Sequence, residues 1–257
     1  MSDEKTSVWI LNSKGGVGKT TLAVAVADLM DLAGRTPRFL EIDSRKRLSS
    51  FIGPEKVLSF EGAPPISEIR KNPNLVLGHY DPIVEAIEAG DSLLDLGANE
   101  DPAFLEYCRL SRLDEDLVDG GIRVIAFVPT VAENESVRGA LEALENLHEA
   151  MPSAGRVLVL NARDGEGFDR YFSPRQVLEM EGSRVRMVEM QRIVSEGWED
   201  FQREKMRFLD VVTMEPEEIQ KRFGFARPKA KRARGDVAAW FEAMRRSMTG
   251  ILPAAEA

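Results

Sequence analysis

Residues 12–21 read Asn-Ser-Lys-Gly-Gly-Val-Gly-Lys-Thr-Thr and directly follow an apolar run, Ser7–Leu11. Glycines at 15, 16 and 18 let successive backbone N–H groups curl around an anion. A helix that starts where such a loop ends points its positive end at the same anion. The strict phosphate-loop pattern is Gly-x4-Gly-Lys-[Ser/Thr]. Its last three positions are met by Gly18-Lys19-Thr20; Ser13 stands where the first glycine is expected, and Lys14 precedes Gly15-Gly16. The spacing assigns Lys19 to the outer phosphates of ATP and the Thr20 hydroxyl to Mg2+. Gly15, Gly16, Val17, Gly18 and Thr21 complete the cradle. The competing reading is a glycine-rich turn without a ligand. It does not explain why strand, glycines, Lys-Thr and helix fall in register.

Three further polar residues close apolar runs. Asp43 follows Arg38–Ile42, Asp95 ends Ser92-Leu93-Leu94-Asp95, and Asn161 follows Arg156–Leu160. In a parallel sheet the carboxyl ends of strands border the ligand crevice. Asp95 is placed there to hold Mg2+, often through water. Gly97 offers a backbone N–H to a phosphate. The plainer readings are a helix cap or turn for Asp43 and a turn for Asn161. Arg45-Lys46-Arg47 reads as a solvated charge run, or as a contact to an anion or a partner subunit.

These residues need elements to hold them. Thr20–Ala33 is apolar on nearly every side, as in a helix covered on most faces, with Gly34 placed at its C-terminus. Residues 44–81 are less regular. Ser44–Ser50 is polar and basic, Leu75–Leu77 reads as a short strand, and Pro82–Ala89 reads as a helix with Pro82 in its first turn. Asp101–Leu117 reads as a helix, Ile122–Val128 as a buried strand and Glu133–Ala150 as an amphipathic helix. Strand and helix alternate through residue 161. That implies the α/β class, with a doubly wound, mostly parallel sheet carrying helices on both faces. Beyond it, Ser183–Met190 reads as a strand, Glu196–Val212 and Glu215–Phe223 as helices, and Arg227–Gly235 as a basic loop. Asp236–Thr249 is then a last helix capped by Asp236. The expected organisation is an ATPase domain over 1–214 and a basic, amphipathic extension over 215–257.

Charge is distributed unevenly. The 257 residues carry a net −9, yet residues 215–257 are +3 and the remainder −12. Lys221–Arg234 holds seven basic residues and no acidic one, which points to non-specific DNA as an anionic partner. Val237, Trp240, Phe241, Met244 and Met248 recur at helical spacing. That stripe is expected to pack on the body or on a second subunit rather than on a membrane. Cys108 is the one cysteine, so no internal disulfide forms and a reducing cytoplasm fits. With two histidines beside it, the composition argues against a structural zinc site. No apolar run approaches the roughly 20 residues that cross a bilayer, and the charged start, Met1–Lys5, lacks signal-peptide architecture. A cytoplasmic protein is expected.

At the glycine loop the sequence resembles the ParA/MinD family of deviant Walker A P-loop ATPases, whose hallmark is the lysine at the position of Lys14. The resemblance covers roughly residues 7–161. It implies that Lys14 crosses a dimer interface to the partner's nucleotide, that Asp43 orients the attacking water beside the Mg2+ ion, and that Asn161 hydrogen-bonds adenine. It further implies a homodimer in the ATP state, slow hydrolysis that ends it, and a cargo or stimulating protein not named by the sequence. Where the family carries Asp-x-Asp-Pro-Gln, this chain has Glu41-Ile42-Asp43-Ser44-Arg45. The stretch Asp95–Tyr107 is similar to a plasmid-stability and conjugation branch of the StbC/TraL type. A single cysteine excludes the iron–sulfur reductases of the superfamily, which share a cluster through two. The function expected is an ATP-dependent switch that positions or segregates DNA or a protein cargo. The alternative is an ATP-dependent small-molecule ligase of the same fold, and the basic tail favours the switch.

Overall fold

The computed structural model describes residues 5–72 and 74–253. The charged run at 1–4 and the final residues 254–257 lie outside them. Seven strands, β1 (Lys5–Ile10), β2 (Arg38–Ile42), β3 (Val57–Ser59), β4 (Ser92–Leu96), β5 (Ile122–Val131), β6 (Gly155–Asn161) and β7 (Val185–Met190), form one sheet. Its order is β3-β2-β4-β1-β5-β6-β7, and every neighbouring pair is parallel. A parallel sheet is covered on both faces, so its central strands are apolar on both sides. In and just after β1, Val8 and Ile10 join the core on one face, and Trp9 and Leu11 the core on the other.

The first face is covered by α1 (Lys19–Leu32) and α2 (Arg47–Ile52). On the second lie α3 (Ile66–Ile69), α4 (Asn74–Glu88), α5 (Asp101–Ser111), α6 (Leu113–Asp119) and α7 (Asn134–Ala150). After β6 come α8 (Pro174–Gly182), α9 (Trp198–Arg203), α10 (Phe208–Thr213), α11 (Pro216–Phe223) and α12 (Arg227–Ser247). The last four of these return to the first face. From β1 the chain leaves toward β2 on one side, and from β4 it crosses to β5 on the other. The carboxyl end of β1 is therefore the point where the winding reverses, and the glycine loop sits there.

Several segments differ from the sequence reading. Leu75–Leu77 lies in α4, not in a strand, and Pro82 falls inside that helix rather than in its first turn. Val76, Tyr80, Ile83 and Ile87 form a fully buried stripe along α4. At about 1.5–3 kcal/mol per buried side chain, the stripe outweighs the roughly 3 kcal/mol that an interior proline costs. The helix read over 101–117 is broken at Arg112, whose φ is +56°. The region 196–212 holds two short helices, α9 and α10. The largest difference is α12. Residues 227–235 are helical, continuous with the last helix, and Asp236 lies in its interior rather than at its cap. Ala230 and Ala233 are buried in line with Val237, Trp240, Phe241 and Met244. The apolar stripe that packs on the body is thus two turns longer than the large residues alone suggest. Trp240 and Phe241 stack on Phe208 of α10, with ring centroids 4.6 and 5.9 Å away.

Candidate nucleotide site

The loop between β1 and α1 is held from below by Asn12. This fully buried side chain donates to the Pro129 carbonyl at 2.8 Å and accepts from the Lys14 N–H at 2.8 Å. Ser13 Oγ donates to Asp101 Oδ1 at 2.7 Å. The loop is therefore tied to β5 and to the first residue of α5. Gly16 and Gly18 have φ of +76° and +94°, a region that favours glycine. At Gly18 a Cβ would also lie 2.4 Å from Asn161 Nδ2. Lys19 is buried, and its ammonium donates to the carbonyls of Asn12 and Lys14. Burial lowers its pKa, as does nearby Arg47; Asp95, Asp101 and Asp43 oppose that shift. The result is a lysine curled back on its own loop, with its charge next to three carboxylates.

Thr20 Oγ1 donates to Asp95 Oδ2 at 3.3 Å. The other oxygen, Asp95 Oδ1, is buried without a hydrogen-bond partner among the described residues. Burial lifts this carboxyl to about 7, against the pull of Lys19 and with Glu41 adding to the rise. A buried, unpartnered carboxylate oxygen beside a threonine hydroxyl is a hard-oxygen donor set that suits Mg2+. Among the described residues no group of three or more His, Cys, Asp or Glu side chains is arranged to hold a metal. The residues thus fit a magnesium ion whose coordination is completed by phosphate oxygens and water, as is usual for this ion.

Asp43 is buried at the end of β2, with Oδ1 accepting from the Arg45 N–H at 3.1 Å and Oδ2 from Arg47 Nε at 2.7 Å. Gly97 is not open to a phosphate in this structure. Its N–H donates to the Ile42 carbonyl at 2.7 Å, and a Cβ there would meet that same oxygen at 2.7 Å. The glycine therefore lets β4 run close beside the start of the Asp43 turn.

Asn161, at the end of β6, donates to the Val17 carbonyl at 2.9 Å and accepts from the Arg163 N–H at 3.1 Å. It borders a cavity of about 860 Å3 with Gly16, Gly18, Thr21, Arg163 and Gln191. Asp236 and Trp240 of α12 form part of its wall, and Trp240 Nε1 donates to the Gln191 carbonyl at 2.7 Å. Lys14 turns away from the cradle. Its ammonium lies 2.7 Å from Glu133 and 3.7 Å from Glu135.

Gly16, Gly18, Thr21 and Asn161 thus border one cavity, Asp95 is joined to the loop through Thr20, Asp43 holds Arg47 beside it, and the Lys14 side chain turns away. Sequence reading missed Asn12, Arg163 and the participation of α12. Arg163 donates to the Gly16 carbonyl and lies two residues past Asn161, where a polar strand end was the available signal. The basic segment Lys221–Arg234 is largely engaged by the body. Arg222, Arg227 and Arg232 pair with Glu204, Glu217 and Glu196. Arg234 donates to the Val212 carbonyl, and Lys229 lies over the Phe225 ring.

No protein-family model matches the sequence, and no curated protein matches it. Among solved structures, the chain is similar to the MinD cell division protein of Aquifex aeolicus, with 19% identity over 97% of this chain and 99% of that one, at a TM-score of 0.43. It is also similar to a variant of Cyanothece McdA in complex with ATP, with 16% identity over 94% of this chain and 96% of that one, at a TM-score of 0.41. A nucleotide-binding protein of Archaeoglobus fulgidus in complex with ADP is 13% identical over 77% of this chain and 84% of that chain, with a TM-score of 0.45.

Proposed function

We propose that this chain is a Mg2+-ATP-dependent ATPase switch of the ParA/MinD type, which forms a homodimer in the ATP state and positions DNA or a protein cargo. The observation that carries the ATP reading is the juxtaposition of buried Lys19, Thr20 and the unpartnered Asp95 oxygen at the end of a glycine loop. Loop N–H groups and the start of α1 receive the phosphates. Lys19 exchanges two backbone carbonyls for phosphate oxygens. Thr20 and Asp95 hold the magnesium ion, which neutralises phosphate charge when bound. Asp43 orients water, and Asn161 with the cavity beside it receives the base. Lys14 is the residue that would reach a partner's nucleotide. Lys221 and Lys231 of the basic segment have no partner among the described residues, and they are the cations offered to DNA.

The test is Lys19→Ala, followed by calorimetric titration with ATP and Mg2+. Affinity is expected to fall at least 100-fold while the melting curve stays cooperative. Wild-type affinity in that variant would refute the ATP reading.

A further inference from the structure

Of the basic run Arg45-Lys46-Arg47, Arg47 is the member that lines the crevice. Its position is fixed by two carboxylates. Glu41 is fully buried and accepts from the Leu48 N–H at 2.5 Å, the Ser49 N–H at 3.3 Å and the Ser49 hydroxyl, which pins the first turn of α2. Asp43 accepts from the Arg45 N–H, and Lys46 turns the chain with a φ of +47°. Arg47 is thereby delivered back onto Asp43 through Nε at 2.7 Å. Its two terminal nitrogens have no hydrogen-bond partner among the described residues.

Arg47 lines a cavity of about 330 Å3 together with Gly16, Gly18, Lys19, Thr20, Thr21 and Lys205. Arg47 and Lys205 thus share the wall of one space with the glycine loop, while the Lys19 ammonium is held on the loop's own carbonyls. Asp43 engages Arg47 through Nε alone, which leaves the rest of the guanidinium for a second anion. A guanidinium can keep one N–H on a carboxylate and present the others as a fork to a phosphate.

We propose that Arg47 is a phosphate-binding arginine supplied from within the same chain, stored on Asp43 and transferred to the triphosphate when nucleotide enters. The transfer would release Asp43 as the phosphate gains a cation. Resting on the ATP reading above, the proposal adds a residue which the family resemblance does not supply.

The experiment measures affinity for a slowly hydrolysed ATP analogue with Mg2+ in wild type, Arg47→Ala, Arg47→Lys and Asp43→Asn, with melting followed in parallel. Arg47→Ala should bind about tenfold more weakly, and Arg47→Lys should recover only part of that loss. Asp43→Asn releases Arg47 and should bind at least as tightly as wild type, a gain that Arg47→Ala cancels in the double variant. If alanine loosens α2, Arg47→Gln keeps the stem without the charge and decides instead. Wild-type affinity in the uncharged variant overturns the proposal and leaves Arg47 as a helix-start ion pair. Absence of binding by the wild type would overturn the ATP reading itself, and this proposal with it.

Discussion

Asp95 concentrates the electrostatic tension of the site. Its pKa of about 7 in the folded chain exceeds the ~3.9 of an unfolded aspartate. Between those values the native state binds more protons than the unfolded one, so stability falls as pH rises from about 4 to 7. Asn at this position has no charge to bury. Asp95→Asn should therefore melt higher than wild type at pH 8, by roughly 1–3 kcal/mol or about 2–8 °C, with the gain vanishing near pH 4. The same variant should lose the Mg2+ dependence of nucleotide binding, a trade of function for stability. A variant that melts lower at pH 8, or a gain that ignores pH, would show that the buried carboxylate is not under strain. The turn of the glycine loop was legible at this scale because its backbone conformations at Gly16 and Gly18 demand glycine. Asn12 was not legible, and Arg47 only as one of three bases in a run open to several readings. Each acts through contacts with residues that carry no spacing rule, Pro129 in the first case and a turn built by Glu41 in the second.

At the scale of elements, α1 joins the phosphate loop to the C-terminal helices. Asp28 on α1 is fully buried and accepts from Arg207 Nε at 2.7 Å and from the Leu209 N–H at 3.2 Å. Arg207 also donates to Asp31 at 2.5 Å. Burial lifts Asp28 to about 6, with Arg207 holding it down. Arg207→Ala would leave the carboxylate buried without its counter-charge, at a cost of about 3–5 kcal/mol. That cost should appear in urea unfolding at pH 8 and shrink at pH 5, where protonation of Asp28 removes the unpaired charge. An equal loss at both pH values would mean that packing, not charge, links α10 to α1. The alternation of β1, β2, β4, β5 and β6 with helices could be read in advance because both periodicities are continuous there, whereas the three-residue β3 in the irregular stretch 44–81 could not. In the C-terminal third the strand over 183–190 and the helix over 215–223 were also legible, but the first turns of α12 were not. Their core contacts come from small residues such as Ala230 and Ala233, and a run of surface arginines hid their helical spacing. The strand read at 75–77 failed for a related reason. Three apolar residues fit either period, and only the longer stripe through Ile87 decides between them.

For the molecule as a whole, the ATP reading makes the position of Lys14 consequential. In the single chain its ammonium rests on Glu133 and Glu135 at the start of α7, and those acids are 50% and 78% exposed. An ion pair this open to solvent is worth no more than about 1 kcal/mol. It would be surrendered readily to the several charges of a partner's triphosphate, where the hydrogen bonds are charge-assisted. Lys14 is also the one loop cation that points out of its own crevice, so its loss should leave nucleotide binding in one chain intact. Lys14→Ala is therefore expected to bind ATP within about threefold of wild type and yet remain monomeric in light scattering with a slowly hydrolysed analogue. Glu133→Gln should act in the opposite direction. By weakening the resting contact it would favour the nucleotide-bound dimer by up to about fivefold, the equivalent of the 1 kcal/mol such a pair can hold. An analogue-stable dimer of Lys14→Ala would remove Lys14 from the interface and leave it as a surface partner of α7.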